Sequence, residues 1–302
     1  VYKRQERVRL GVSSPWVKGT SVEERITGLE SDLNAGHLDA VRLYHAWDEW
    51  FPQGGEQFLT DAGRDTVPVL SVNTVRRNGQ RVWWKAIALA KPGSQLHNEM
   101  RRWADDLRDF GRPIVVSLNH EPDHYRNGGT GSPYWYRRAY QTFVSILRNR
   151  GATNVDTSFV GVAWNYDPRS PVDINEWYPG DWWVDVIGVD GYNWGKCNSS
   201  NGQWRTFDQI FAPFLNWIES HPYKPVMIAE FGVTERAGDP GYKPNWLRNA
   251  AASLDSSDWD RLDYVLAWDN KWEHNSNCDF RVSSSSQVRT AFRDMMQSPA
   301  FN

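Results

Sequence analysis

Short apolar runs alternate along this chain with segments of helical period, and the alternation continues almost end to end. Eight runs read as strands: Val8 to Ser13, Asp39 to His45, Val67 to Val72, Pro113 to His120, Ser158 to Trp164, Val184 to Gly191, Pro225 to Phe231 and Leu262 to Trp268. Between them lie amphipathic stretches. The first, Ser21 to Asn34, opens with Ser21 and carries Glu24 three residues on, the pattern of a capping box. Leu96 to Phe110 stops at Gly111, and a helix opened by Ser132-Pro133 runs to Arg150 and stops at Gly151. Proline early and glycine just past the end suit helix termini. Further helices are expected over Phe207 to Ser220, Tyr242 to Leu254 and Gln287 to Met296, and a long insert, Asn73 to Gln95, precedes the third helix-period return. Apolar strands alternating with helical returns are the mark of parallel βα units. Eight of them predict an α/β fold, a (β/α)8 TIM barrel. No linker, repeat or low-complexity tract divides the sequence, so residues 1–302 read as a single domain, a length that such barrels reach.

Barrels of this kind build their sites at the C-terminal ends of the strands. Here those ends carry polar and aromatic residues: His45 and Trp47 after the second strand, His120 and Glu121 after the fourth, Trp164 and Asn165 after the fifth. Tyr192, Asn193 and Trp194 follow the sixth, Glu230 closes the seventh, and Trp268 and Asp269 close the eighth. Glu121 and Glu230 stand at the ends of apolar strands, where a solvated charge adds nothing to folding. Strands four and seven lie nearly opposite in an eight-stranded barrel, so the two carboxyls could face one another across a bound sugar. Glycoside hydrolysis needs such a pair. The rival reading makes each glutamate a cap for the helix that follows. His45 and His120 are candidates to hydrogen-bond sugar or carboxylate, against the ordinary reading of a satisfied structural histidine.

Composition sharpens this picture at one point. The 302 residues hold 18 Trp, 12 Tyr and 12 Phe, and many of the tryptophans flank polar or glycine-rich stretches rather than apolar runs. Rings at such positions suit the apolar faces of sugars, so Trp47, Trp164, Trp194 and Trp268 are candidate stacking platforms, with packing beneath the loops as the alternative. Asn165, Asn193 and Asp269 are candidates to bind hydroxyls. A net charge of −3 leaves no electrostatic footprint for nucleic acid or acidic membranes. No apolar run is long enough for a membrane span, and Val1 to Arg9 is charged without an apolar signal core, as in a mature or trimmed start. The stretch around His120, Glu121 and His124 lacks the helical two-histidine spacing of zinc proteases, Gly128 to Gly131 lacks the lysine of a phosphate loop, and no nucleophile-elbow motif occurs. No metal and no cofactor are expected. Cys197 and Cys278 follow the sixth and eighth strands and could bridge two loops beside the cleft, or stand as two free thiols.

At these residues the chain resembles glycoside hydrolase family 26. The stretch Phe110-Gly111-Arg112-Pro113-Ile114 through His120-Glu121 is similar to that family's fourth-strand motif. Gly151 to Val155, Trp177 to Asp181, Val184 to Trp194, Lys224 to Gly232 and Asp279 to Val282 follow in the family's order. The likeness covers residues 81–297. The Tyr178-Pro179-Gly180-Asp181 and Ala229-Glu230-Phe231-Gly232 segments are specific in combination. The resemblance implies a retaining endo-β-glycanase working by double displacement: Glu121 as acid/base, Glu230 as nucleophile, and Tyr192 hydrogen-bonding the nucleophile to stabilise its ionised form. It implies β-1,4-mannan as substrate first, with β-1,3-xylan and mixed-linkage β-glucan behind it.

One departure bears on substrate. Mannanases of the family carry methionine, asparagine and glycine after the acid/base, where this chain has Pro122-Asp123-His124-Tyr125-Arg126-Asn127. His124 or Tyr125 could fill the aromatic role there. A polysaccharide substrate and a disulfide both point to a secreted protein, acting as a monomer on a polysaccharide or oligosaccharide. The rivals are a non-catalytic carbohydrate-binding barrel, against which the two carboxylates and Tyr192 argue, and a transglycosylase using the same residues.

Overall fold

The eight apolar runs are eight parallel strands in a computed structural model that describes residues 7–13, 19–34, 36–61, 63–124, 130–272 and 274–301. In chain order the first half comprises β1 (Arg9–Ser13), α1 (Val22–Leu33), β2 (Ala40–His45), β3 (Val67–Val72), α2 (Trp84–Ala88), α3 (Gln95–Phe110), β4 (Ile114–Leu118) and α4 (Pro133–Asn149). The second half comprises β5 (Val155–Val162), α5 (Ile174–Trp177), β6 (Val186–Asn193), α6 (Phe207–Ile218), β7 (Val226–Val233), α7 (Tyr242–Leu254), β8 (Leu262–Trp268), β9 (Lys271–Trp272), β10 (Asn275–Asp279) and α8 (Ser286–Met296). Strands β1 to β8 follow one another in sequence order around a closed barrel, so the fold is (β/α)8. Every residue of β3, β4 and β7 is buried. That is the signature of parallel strands covered on both faces, and it explains why these runs are mostly apolar rather than alternating. No helix among the described residues is long and apolar enough to cross a membrane.

The chain divides into two compact units, Val1–Arg42 with Val189–Asn302, and Leu43–Gly188. In the first, β1 pairs with both β2 and β8, and β7 pairs with β8. The capping box at α1 forms: Ser21 accepts from the Glu24 amide, and Glu24 accepts from the Ser21 amide at 2.8 Å. In the second, β4 pairs with β3 and β5. Helix α3 is capped by Ser94 and ends at Gly111, whose φ of 71° lies in the left-handed region that glycine adopts without strain.

The structure departs from the sequence expectation at several places. Strand β5 starts at Val155, ahead of Ser158, because the ladder pairs Ile114 with Val155 although Asp156 interrupts the apolar run. Trp164 and Asn165 then fall in a 3-10 turn, Ala163–Tyr166, beyond the strand. Strand β7 continues through Gly232 to Val233, and the Thr234 amide bonds to the Asn193 carbonyl just beyond it, so Glu230 lies within the strand rather than at its end. The return after β2, for which no helix was named, contains a 3-10 helix, Gly54–Thr60, and a two-stranded hairpin, β9–β10, follows β8.

Cys197 and Cys278 are bonded to each other, with Cα atoms 5.3 Å apart, which resolves the alternatives left by their spacing. The bridge closes a sequence separation of 81 residues. On a chain-entropy model, a loop of that size stabilises the fold by roughly 4 kcal/mol. Denaturant unfolding with and without reductant is expected to show a loss of about 2–4 kcal/mol. An unchanged midpoint after confirmed reduction would show that the bridge adds nothing.

Candidate active site

In the first unit, three strands bring charge together around Glu230. Arg42, from β2, is wholly buried, and Glu230, from β7, is 4% exposed. The Arg42 Nε lies 3.2 Å from Glu230 Oε1. On its other side the guanidinium reaches Asp190 of β6, with Nη1 3.4 Å from Oδ1 and Nη2 3.5 Å from Oδ2. One cation thus lies between two carboxylates, which is what makes their burial tolerable. The Tyr192 hydroxyl, also from β6, donates to Glu230 Oε2. Glu230 is therefore held through both oxygens, by a guanidinium and by a phenol. An oriented carboxylate is what a covalent nucleophile requires.

Aromatic rings surround that phenol. Tyr192 meets Trp194 at 5.5 Å, Phe280 at 5.3 Å and Trp268 at 6.4 Å between centroids. Gly232 lies two residues past Glu230 on β7, hence on the same face of the strand. A Cβ placed on it would come within 2.9 Å of Phe280 Cδ1, so the ring occupies the space a side chain would need. Trp194 and Trp268 are partly buried. Asp269 accepts from the Val282 amide at 2.8 Å, and burial raises its carboxyl above the usual range against the opposing pull of that amide and nearby Lys243 and Arg281. Asn193 is buried, donating to the Arg205 carbonyl and to the Tyr242 hydroxyl, so its amide ties loops together rather than facing a ligand.

In the second unit, Glu121 follows β4 and is partly buried. Its φ is 48° and that of Asn119 is 50°. Left-handed backbone at a non-glycine residue costs on the order of 1–3 kcal/mol and persists only where the surroundings enforce it. Here the Glu121 amide bonds to the Val160 carbonyl, the Glu121 carbonyl accepts from the His124 amide, the Asn119 amide bonds to the Val72 carbonyl, and Thr74 donates to the Asn119 side chain at 2.5 Å. The strand end is held from β3 and β5 at once. His120 is partly buried with its ring edge-on to Tyr44 at 5.2 Å, and His124 is also partly buried, while Tyr125 lies outside the described residues.

Two residues from Glu121, Asp123 is buried and accepts from Asn165 at 2.8 Å and from the Val162 amide at 3.1 Å. Burial pushes its carboxyl up to about 6 in spite of those donors. The unfolded value is near 3.9. A folded value raised above the unfolded one contributes stability at low pH that is lost as pH rises toward 6 and beyond. Asp123→Asn removes this titration. Its stability relative to the parent is expected to climb by roughly 3 kcal/mol between pH 3.5 and pH 7 in urea unfolding. A constant difference across that window would overturn the assignment.

The remaining expected ligands are placed as follows. Trp164 is 43% exposed, with the Arg169 guanidinium 5.9 Å from its ring, and keeps a surface a sugar could meet. Trp47 is 1% exposed, its indole donates to Glu99 at 2.6 Å, and Arg76 bonds the same carboxylate oxygen. His45 is buried, hydrogen-bonded through Nε2 to Glu56 at 2.7 Å and edge-on to Phe51 and Trp103. Asn165 is buried on Asp123 and Ser170. His45, Trp47 and Asn165 are thus each buried and bonded to protein groups. Arg42 and Asp190 were not singled out from the sequence. The available signal was an arginine inside the apolar segment Ala40-Val41-Arg42-Leu43, since a charge there must find a partner.

The model for glycosyl hydrolase family 26 matches residues 94–255, more than half of the chain. The chain belongs to glycosyl hydrolase family 26. It is thus a glycoside hydrolase domain of a retaining family. Over 303 aligned residues, a relative called endoglucanase H, of Acetivibrio thermocellus, is 31% identical; the match takes in 95% of this chain and 30% of that protein, so the chain spans under a third of the relative's length. Among solved structures, a family 26 β-mannanase from Bacteroides ovatus aligns with TM-score 0.68 at 17% identity, over 98% of this chain and 90% of that one. The family 26 endo-β-1,4-mannanase catalytic domain from Bacillus sp. JAMB-750 aligns with TM-score 0.65 at 15% identity, over 98% and 87%. At these identities the two structures speak to the fold.

Proposed function

We propose that the chain is the catalytic domain of a secreted retaining endo-β-glycanase, with Glu230 as nucleophile and Glu121 as acid/base. The observation that carries this reading is the setting of Glu230, buried and held at both oxygens by Arg42 and Tyr192 in a family 26 chain. In the first step the Glu121 carboxyl gives its proton to the glycosidic oxygen, and a Glu230 oxygen attacks the anomeric carbon. The bond to the leaving sugar breaks as the glycosyl ester forms. In the second step Glu121, now a carboxylate, takes a proton from water. The water oxygen displaces Glu230, the anomeric configuration is restored, and both carboxyls return to their starting states. The partly exposed Trp164, Trp194 and Trp268 supply rings for sugar stacking. A single disulfide supports an oxidising, extracellular compartment.

For the polymer we propose a β-glucan first. Two observations favour it over β-1,4-mannan: the 31% identity to a protein called an endoglucanase, and the Pro122-Asp123 pair where mannanases have methionine and asparagine. That name covers a protein of which the matched stretch is 30%, so β-1,4-mannan stays as the second reading, resting on the family resemblance. The test is release of reducing ends from mixed-linkage glucan, glucomannan, mannan and β-1,3-xylan. Fastest release from mixed-linkage glucan is the expected result. Fastest release from mannan would reverse the order, and binding without cleavage of any polymer would replace the enzyme by a carbohydrate-binding barrel. Transfer products longer than the substrate would mark a transglycosylase.

A further inference from the structure

We propose that Phe280 is a positioning residue for the nucleophile: a ring wedged over Gly232 that holds the Tyr192 phenol on Glu230. The proposal rests on Glu230 being the nucleophile and extends it to a residue that touches no substrate. Phe280 is 2% exposed and lies against Tyr192 at 5.3 Å and Trp194 at 4.8 Å. Tyr192 has freedom about its side-chain torsions, and packing against its ring limits that freedom. Three rings lie on its flanks. Phe280 is the one of the three that also occupies the β7 face beside Glu230, because Gly232 leaves that space open.

The backbone around Phe280 is fastened residue by residue. Cys278 is bonded to Cys197, and Asn275 donates to the Cys197 carbonyl at 2.7 Å. The Phe280 amide bonds to the Asn270 carbonyl, and the Val282 amide to Asp269. Lys243, buried on α7, donates from Nζ to the carbonyls of Asp279 and Arg281, at 2.9 Å each, on either side of Phe280. It also reaches the Ser284 hydroxyl at 3.1 Å, while Glu235 lies 3.6 Å away. A buried lysine is costly unless its protons are taken up. Here they are spent on fixing one short loop. The charged groups around Glu230 are the cation Arg42 from β2 and, on the far side of that guanidinium, the carboxylate of Asp190 from β6.

The experiment compares Phe280→Ala, Phe280→Leu, Tyr192→Phe and the double variant Tyr192→Phe/Phe280→Ala with the parent. In Phe280→Ala, kcat on the preferred polymer is expected to fall about tenfold to a hundredfold with KM little changed. The acidic limb of kcat/KM is expected to move to higher pH, as a carboxylate that loses a donor does. Phe280→Leu, which keeps most of the bulk, restores the limb and most of kcat. In the Tyr192→Phe background the second change has no further effect on the limb, since both act through one bond. A purely structural role would lower stability and active fraction but leave the limb in place, and that result overturns the proposal. A crystal structure of Phe280→Ala gives an answer independent of activity: the Tyr192 hydroxyl leaves Glu230 or splits between positions, and an unmoved, fully occupied contact overturns the proposal. If the parent cleaves none of the polymers, the functional reading fails while the crystallographic result still decides the role of Phe280.

Discussion

Glu230→Ala is expected to lower turnover of the preferred polymer by on the order of 10⁴-fold or more, because the oxygen that forms the covalent intermediate is removed. Added azide should restore cleavage of an aryl glycoside with a good leaving group. The product distinguishes the two roles. With the nucleophile absent, azide enters the emptied face in one displacement and gives the α-glycosyl azide. In Glu121→Ala the first displacement still occurs, azide replaces the missing base in the second, and the product is the β-azide. A β-azide from Glu230→Ala would exchange the two assignments. Residual activity within tenfold of the parent would remove Glu230 from the mechanism altogether.

The second large effect is expected at Arg42. Arg42→Met keeps length and apolar bulk but leaves Asp190 and Glu230 buried without their shared cation. Breaking a buried ion pair from one side costs about 3–5 kcal/mol, chiefly because the stranded charge has lost its water. Urea unfolding at pH 7 measures this directly. A loss below about 1 kcal/mol at neutral pH would mean that water or another cation reaches the carboxylates, and that the trio is not electrostatically isolated.

Much of the fold was readable because parallel strands covered on both faces are mostly apolar along their length. β3 and β8 were expected over the residues they occupy, as was α7. The failures come where a local signal and a long-range bond disagree. Asp156 reads as a break, but the ladder to β4 carries β5 through it. Gly232 reads as a stop, but β7 runs past it. For the site, Glu121, Glu230 and Tyr192 stood out because polar residues at the ends of apolar strands have no folding reason to be there. His45, Trp47, Asn165 and Asn193 stood out by the same rule, and the structure buries them against protein partners. A polar side chain after a strand can face inward as well as outward, and Glu56, Glu99, Asp123 and Arg205, which satisfy these four, are distant in sequence from most of them. Pairing of that kind is settled by tertiary contact, which period and spacing do not encode.

The close approach of Phe280 to Gly232 also constrains how this sequence can vary. A methyl group at 232 has no room while a phenyl ring sits at 280, and a small residue at 280 leaves a void beside Glu230 unless 232 grows to fill it. The two positions, 48 residues apart in the sequence (280 − 232), share one volume. Drift at either alone is opposed, and the permitted route is an exchange: bulk moving from the loop to the strand. In a set of diverged family members the pair should therefore covary in size, large with glycine or small with larger, and chimaeras that join a strand from one such group to a hairpin from the other should be the ones that fail.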